Sequence, residues 1–141
     1  MNKSQKKDTK TQIMDLAEKA IIQGGYSAFS FRELAAQIGI KSASVHYHFP
    51  TKGDLTVSIM RRYKERFSNE LPDVATTDAS VTQLINGFID GFKAKVVENQ
   101  NMSLCTMLTT DTHQLPEDVK QELAEFYHIK LDWTLMKRLQ N

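Results

Sequence analysis

Apolar residues recur at three- and four-residue steps along most of this chain, the spacing that places them on one face of a helix. No stretch alternates apolar and polar residues over the length of a strand. The pattern therefore predicts an all-α fold of seven helices, at about residues 9–23, 30–38, 42–49, 52–72, 80–98, 102–111 and 116–140. The small, polar residues 72–80 form the predicted linker between the fourth and fifth helices.

Residues 30–49 predict two short helices joined by a glycine turn. Ser30 followed three residues later by Glu33 has the spacing of a capping box, which satisfies free N–H groups at a helix start. Gly39 follows the last apolar position of the first helix, where a left-handed residue ends a helix and redirects the chain. The second helix begins at Lys41 or Ser42, with Ala43, Val45 and Phe49 expected to face the first helix.

The outward side of that second helix carries no acidic residue. Its side chains are short hydroxyls, imidazoles and a phenol: Ser42, Ser44, His46, Tyr47 and His48. Small residues near the start of a helix can approach base edges in the major groove, and later donors can reach phosphates. The pattern favours a helix-turn-helix with a DNA-recognition helix. A structural corner in an inert helical domain has similar spacing and stays open on these residues alone.

The string GIKSASVHYHFPTKGDL at residues 39–55 resembles the signature of the TetR family of bacterial transcriptional regulators. In that family the run G-V-x-x-x-x-[LV]-Y-x-H-F-x-[ST]-K-x-x-L spans the recognition helix and the start of the next helix. This chain departs from the run in having His46 where tyrosine is commoner, and Gly53 in the first turn of the following helix. The resemblance covers residues 8–68 and extends more loosely over the rest.

The resemblance implies a helix-turn-helix DNA-binding domain at residues 8–68 and a helical effector-binding and dimerisation domain at residues 69–141. It implies a bacterial cytoplasmic homodimer on palindromic, double-stranded operator DNA, usually a repressor released by a small-molecule effector. Phosphate contacts by Tyr47, His48 and Lys52 also come from the resemblance. The full set of predicted DNA-contacting residues is Arg32, Lys41, Ser42, Ala43, Ser44, His46, Tyr47, His48 and Lys52.

The net charge of +1 conceals an asymmetry between the two halves. Residues 1–68 carry 12 Lys and Arg against 6 Asp and Glu, a net charge of +6, whereas residues 69–141 carry 6 against 11, a net charge of −5. A basic first half fits a nucleic-acid module, and an acidic second half fits a module that stays away from phosphates. The basic group Arg61, Arg62, Lys64 and Arg66 is interpreted as a solvated face in preference to a DNA surface.

Aromatic and sulfur-containing residues at helical spacing in the second half predict either a small-molecule pocket or plain core. The candidate effector-binding residues are Phe88, Phe92, Met102, Cys105, Met107, Phe126, Tyr127 and Trp133. Cys105 is the one cysteine and has no basic neighbour in sequence, so we expect inert burial in a reducing compartment. Resemblance to a TetR subgroup adds the hypothesis that this thiol responds to electrophiles or unsaturated acids.

Other functions find little support in the sequence. No apolar run is long enough to cross a membrane, and the histidines lack the spacing of metal ligands. We therefore predict no membrane association, no metal, no cofactor and no enzymatic activity. Family members continue into further C-terminal helices that pair across a two-fold axis, so this chain, ending at Asn141, is expected to be a fragment or to dimerise differently. The alternative function is a helical interaction module that heterodimerises with another regulator without occupying DNA itself.

Overall fold

The computed structural model describes residues 7–70, 78–99 and 103–140, apart from the side chains of residues 92, 95–99, 134 and 136–140. These residues form only helices, turns and loops, and the all-α prediction is confirmed. The helices are α1 (Thr9–Gly24), α2 (Phe31–Ile38), α3 (Ser42–His48), α4 (Lys52–Glu70), α5 (Val81–Asn99), α6 (Leu104–Thr110) and α7 (Glu117–Gln140). Single 3-10 turns cover Tyr26–Ala28 and Thr112–Gln114.

Local hydrogen bonds explain where α2 begins and ends. The Ser30 hydroxyl accepts from the Glu33 N–H at 3.2 Å, and the Glu33 carboxylate accepts from the Ser30 N–H at 3.1 Å. Gly39 is left-handed at φ 83° and donates its N–H to the Ala35 carbonyl. The predicted capping box and glycine stop are both confirmed. They orient α2 toward the turn that leads into α3.

The starts of α3 and α4 follow from their first residues. Lys41 is the N-cap of α3, and Ser42 is the first helical residue. At α4, the Asp54 carboxylate accepts from the Thr51 N–H and the Thr51 hydroxyl accepts from the Asp54 N–H, both at 3.0 Å. This second capping box fixes the angle at which α4 leaves the α2–α3 corner.

A single hydrophobic core joins the two halves of the sequence. It contains side chains of every helix from α1 to α4 together with residues of α6 and α7, among them Ile13, Leu34, Val45, Ile59, Leu108 and Phe126. α6 packs on α1, and α7 packs on α4. The boundary at residues 68 and 69 therefore stays a prediction, because the described part of the molecule buries both sides of it together.

The outer sides of α5 and α7 are more exposed than the apolar pattern indicated. Ile85, Phe88 and Ile89 of α5 are exposed, and so are Leu131 and Leu135 of α7. Helical periodicity identifies an apolar face without identifying what covers it. No helix of the described part is long and apolar enough to cross a membrane.

The basic residues of α4 lie in ion pairs. Arg61 and Arg66 are largely exposed, which fits their interpretation as a solvated face, whereas Arg62 and Lys64 are half-buried. Arg62 donates to the Asp15 carboxylate at 2.8 Å and lies 3.5 Å from Glu18, while Arg66 reaches Glu18 at 2.8 Å. Both acids belong to α1. These contacts hold α4 against α1, and sequence spacing could not reveal them because the partners lie more than 40 residues apart.

The opposite side of α4 is paired with α7. Glu122 is buried and accepts from Arg61 at 2.8 Å and from Lys64 at 3.0 Å. Burial raises the pKa of Glu122, but the hydrogen bonds from Arg61 and Lys64 outweigh it, and the net pKa lies below its ordinary value of 4.5. Ion pairs thus join α4 to both α1 and α7.

Candidate DNA-binding face and ligand cleft

The inner side of α3 is anchored in the core, which leaves its outer side available. Val45 is fully buried and Phe49 nearly so, both in the core cluster that includes α2. Tyr47 is 84% exposed, although burial of a large aromatic side chain usually stabilises a fold. The sequence pattern placed Ala43 against α2, but Ala43 is exposed. One turn earlier than Tyr47, it lies on the outer side of the helix.

The predicted DNA-contacting residues fall into two groups by exposure. Exposed members are Arg32 of α2 and Lys41, Ala43, His46 and Tyr47 of the α3 segment, whereas Ser42, Ser44, His48 and Lys52 are half-buried. A shallow surface hollow is lined by Ala43, Ser44, Tyr47 and His48 together with Thr9 and Ile40. The structure therefore brings four of the predicted residues to one surface depression. The roles of all these residues stay predictions.

His46 is held from both sides by its own domain. Its Nδ1 lies 3.2 Å from the Pro50 carbonyl, and its ring packs against the Phe31 ring at 4.7 Å between centroids. Nδ1 donates in this contact, because a carbonyl oxygen can only accept. The residue where the family pattern favours tyrosine thus braces α3 against α2.

Lys52 makes contacts inside the DNA-binding half. Its Nζ donates to the Phe29 carbonyl at 2.7 Å and lies 4.2 Å from the Phe29 ring centroid and 4.6 Å from that of Tyr26. Burial lowers the pKa of Lys52, while the carboxylates of Glu33 and Asp111 act in the opposite direction. The ammonium fastens the start of α4 to the turn before α2, and its phosphate contact stays a prediction.

Asp111, which ends α6, is bonded to the turn after α1. Its Oδ2 accepts from the Tyr26 N–H at 2.8 Å. Gly25 has a positive φ of 89°, and a Cβ at this position would lie 2.4 Å from the same oxygen. Gly25 directly follows α1 and ends that helix. The structure adds a close approach of α6 that only glycine allows.

A cleft of about 360 Å³ lies between α4, α5, α6 and α7. Five of the eight predicted effector-binding residues line it: Phe88, Cys105, Phe126, Tyr127 and Trp133. Met107 is not among the lining residues and packs against the core on the side of Gly25. The side chain of Phe92 and all of Met102 lie outside the described residues.

Sequence reasoning missed much of the lining of this cleft. Tyr63 and Phe67 come from α4, Gly87 and Gly91 from α5, and Lys130 from α7. The Lys130 ammonium lies between 5.1 and 5.8 Å from four ring centroids, those of Phe67, Phe88, Phe126 and Tyr127. Two of these rings lie three and four residues before Lys130 on the same helix, a local signal that could have indicated it.

Cys105 forms part of the cleft as a buried thiol. Its exposed fraction is 2%, and burial raises its pKa to about 12, although the nearby Lys130 charge acts to lower it. A thiol with this pKa is protonated at neutral pH and is a poor nucleophile. These properties support the expectation of inert burial over the electrophile-response hypothesis. Burial likewise raises the pKa of the neighbouring Tyr63 to about 12.

The fold and the α2–α3 corner define a helix-turn-helix regulator that binds DNA. The family model described as bacterial regulatory proteins of the tetR family matches residues 13–59. The chain is 32% identical to a TetR transcriptional regulator from Legionella pneumophila of known crystal structure, with a TM-score of 0.80 over 94% of this chain and 71% of that protein. The chain belongs to the TetR family of transcriptional regulators.

Two further relatives are similar over different lengths. The fatty acid metabolism regulator protein of Bacillus subtilis (strain 168) is 23% identical over an alignment of 144 positions, which spans 97% of this chain and 71% of that protein. The HTH-type transcriptional repressor KstR2 of Rhodococcus jostii (strain RHA1) is 30% identical over 87 residues, covering 56% of this chain and 43% of that protein. All three are named as regulators or repressors, and the Legionella and Rhodococcus proteins are named as transcriptional ones.

Proposed function

We propose that this protein is a transcriptional repressor, without catalytic activity, that leaves its operator when a small molecule occupies the cleft. The observation that carries the proposal is the outer side of α3, which is free of acidic residues and holds a tyrosine at 84% exposure. A relative named as a repressor supports the direction of control. The bacterial cytoplasm, where operators lie, is the compartment that this function requires.

Within the DNA-binding face, position along α3 suggests the division of roles. Ser42, Ala43 and Ser44 lie in the first turn, the part of a recognition helix that approaches base edges. Donors suited to phosphates lie on either side of this first turn, on Lys41 before it and on Tyr47 and His48 after it. Arg32 and His46 lie at the margin of this face, one exposed on α2 and the other braced against it. Lys52 is left out because its ammonium is engaged at the Phe29 carbonyl.

α6 offers a physical route from the cleft to this face. Cys105 and Thr106 line the cleft near the start of α6, and Asp111 at its end bonds the Tyr26 N–H. The Tyr26 ring in turn lies over the Lys52 ammonium at the start of α4. A ligand that shifts α6 would therefore disturb the turn beneath the α2–α3 corner. Ligand and operator would then compete through one conformational equilibrium.

A two-fold operator requires two protomers, and we propose a homodimer. The exposed apolar side chains on α5 and α7, including Ile85, Ile89, Leu131 and Leu135, provide contact surface for it. Sedimentation equilibrium across micromolar concentrations tests this directly. A dimer is expected. A monomer at all concentrations would contradict the two-fold model and favour the alternative of a module that pairs with another regulator.

The DNA-binding role is tested by selection from a random duplex library, followed by titration of the selected duplex at several salt concentrations. Lys41→Ala should weaken all sequences similarly and reduce the salt slope by about one, whereas Ser44→Ala should change sequence preference. Lys120→Ala, which removes one lysine charge from α7, serves as the charge-matched control and should bind like wild type. An equal loss of preference from Lys41→Ala would contradict the assigned roles.

A further inference from the structure

Two glycines of α5 leave open space on one side of the cleft. Gly87 and Gly91 lie one helical turn apart, and both line it. A Cβ built at either position would have no neighbouring heavy atom within 4 Å, so open space faces both. Glycine is a poor residue for a helix interior. The two glycines therefore leave open space alongside α5.

Aromatic rings form the remaining walls and suit an apolar body. The ring centroid of Phe67 lies 5.0 Å from that of Phe126 and 6.3 Å from that of Phe88, and both pairs are in edge-to-face contact. Rings from three helices thus surround the space, and the side chains of Tyr63 and Trp133 extend the wall. The volume of about 360 Å³ is near the lower end of small-molecule sites. The cleft therefore suits a compact hydrophobic molecule better than a long chain.

Lys130 places a cation in the lining of the cleft. Its ammonium is half-enclosed by four rings, where a charge is screened less than at the surface and attracts an anion more strongly. The faces of the rings also attract cations, but Lys130 already supplies the cation there, so a second cation would be repelled. Glu70 also lines the cleft, but it is exposed near the end of α4, where water and salt screen its charge.

We infer that the cleft binds a compact hydrophobic carboxylate, with its charged group beside Lys130 and its apolar body in the space along Gly87 and Gly91. This inference rests on the proposed function, because it names the chemical class of the effector. Neither the family match nor the relatives' names assign this site to Lys130 or to these glycines.

Trp133 makes the test direct, because it is the one tryptophan of the chain and lines the cleft. Fluorescence excited at tryptophan wavelengths is followed while the DNA-free protein is titrated with 4-phenylbutyrate, 4-phenylbutyramide and 4-phenylbutyltrimethylammonium. The carboxylate should bind at least about tenfold more tightly than the amide, and the cation most weakly. Equal affinities, tighter binding of the cation, or no saturable response to the carboxylate would each overturn the inference.

Two sets of variants test separately the charge of Lys130 and the open space beside Gly87 and Gly91. Lys130→Met should lower carboxylate affinity about tenfold and leave amide affinity unchanged, while Lys130→Arg should retain the preference. Lys120→Met, on the same helix but outside the cleft, is the matched control. Gly91→Leu should fill the cleft and abolish binding of both probes at unchanged helical content. If Gly91→Leu reduces helical content, Gly87→Ala, which adds one methyl group to the same space, replaces it and should weaken both probes equally.

Failure of this inference can be told from failure of the proposed function. The titrations contain no DNA, so their outcome does not depend on the operator. A carboxylate that binds with the expected preference but leaves the operator complex intact would contradict effector release alone. An operator complex that forms normally while the carboxylate shows no preference over the amide would contradict the ligand class alone.

Discussion

Replacing Asp111 by alanine should both destabilise the protein and lower its affinity for operator DNA. The Asp111 Oδ2 accepts from the Tyr26 N–H at 2.8 Å, and Tyr26 is only 8% exposed. The variant would leave that buried N–H without its acceptor. A hydrogen bond to a charged group contributes about 1.5–3 kcal/mol, so we expect a loss of about 2 kcal/mol in the free energy of unfolding. For a chain of this size that corresponds to a fall of roughly 6–10 °C in Tm.

Urea unfolding, followed by circular dichroism and by tryptophan fluorescence, measures this loss. Asp111→Asn keeps an acceptor oxygen and should lose less than half as much, which separates the hydrogen bond from the side-chain volume. Asp90→Ala, at an exposed position on α5, is the matched control and should stay within about 0.5 kcal/mol of wild type. The slope of the transition should be unchanged in all three variants.

The same variant tests the route from α6 to the DNA-binding face. Because Tyr26 lies over the Lys52 ammonium, loosening its turn should also lower operator affinity. An Asp111→Ala protein within about 0.5 kcal/mol of wild type would refute the view that this bond holds the turn. An unstable variant with undiminished operator affinity would refute the coupling and leave the stability reasoning standing.

Three other predictions concern single interactions. Burial raises the pKa of Glu122, but hydrogen bonds from Arg61 and Lys64 bring it below 4.5. These bonds therefore stabilise the fold above pH 4.5, and the stabilisation is lost as the pH falls. In Glu122→Gln, Tm should depend less on pH in this acidic range. Cys105, with a pKa of about 12, should resist iodoacetamide at pH 8 until urea unfolds the protein, and rapid native labelling would contradict its burial. Ser30→Ala should cost about 1 kcal/mol in urea unfolding by removing the α2 cap, and a loss under about 0.2 kcal/mol would argue against it.

The α2–α3 corner was predictable because its signals are local. Ser30 and Glu33 lie three residues apart, and Gly39 acts on the helix that it directly follows. The inward direction of Val45 follows from the same short-range periodicity. Ala43 was misplaced because a helix of seven residues has too few positions to define its buried face by pattern alone.

The cleft could be predicted only in part, because its walls converge from distant parts of the chain. Tyr63 and Lys130 lie 67 positions apart in sequence, yet both line it. Cys105 and Met107 are two residues apart on a helix, so they point in different directions, and only one of them faces the cleft. The partner of Lys52 is the carbonyl of Phe29, 23 residues earlier, which no local pattern indicates.

The central claim is that two copies of α3 read successive major grooves. Hydroxyl-radical footprinting on a duplex selected by the protein tests it most directly. We expect two protected patches on one face of the duplex, centred about 34–36 Å apart or a multiple of that distance, with symmetric sequences beneath them. A single protected patch, protection without a preferred sequence, or failure to enrich any duplex would contradict the account.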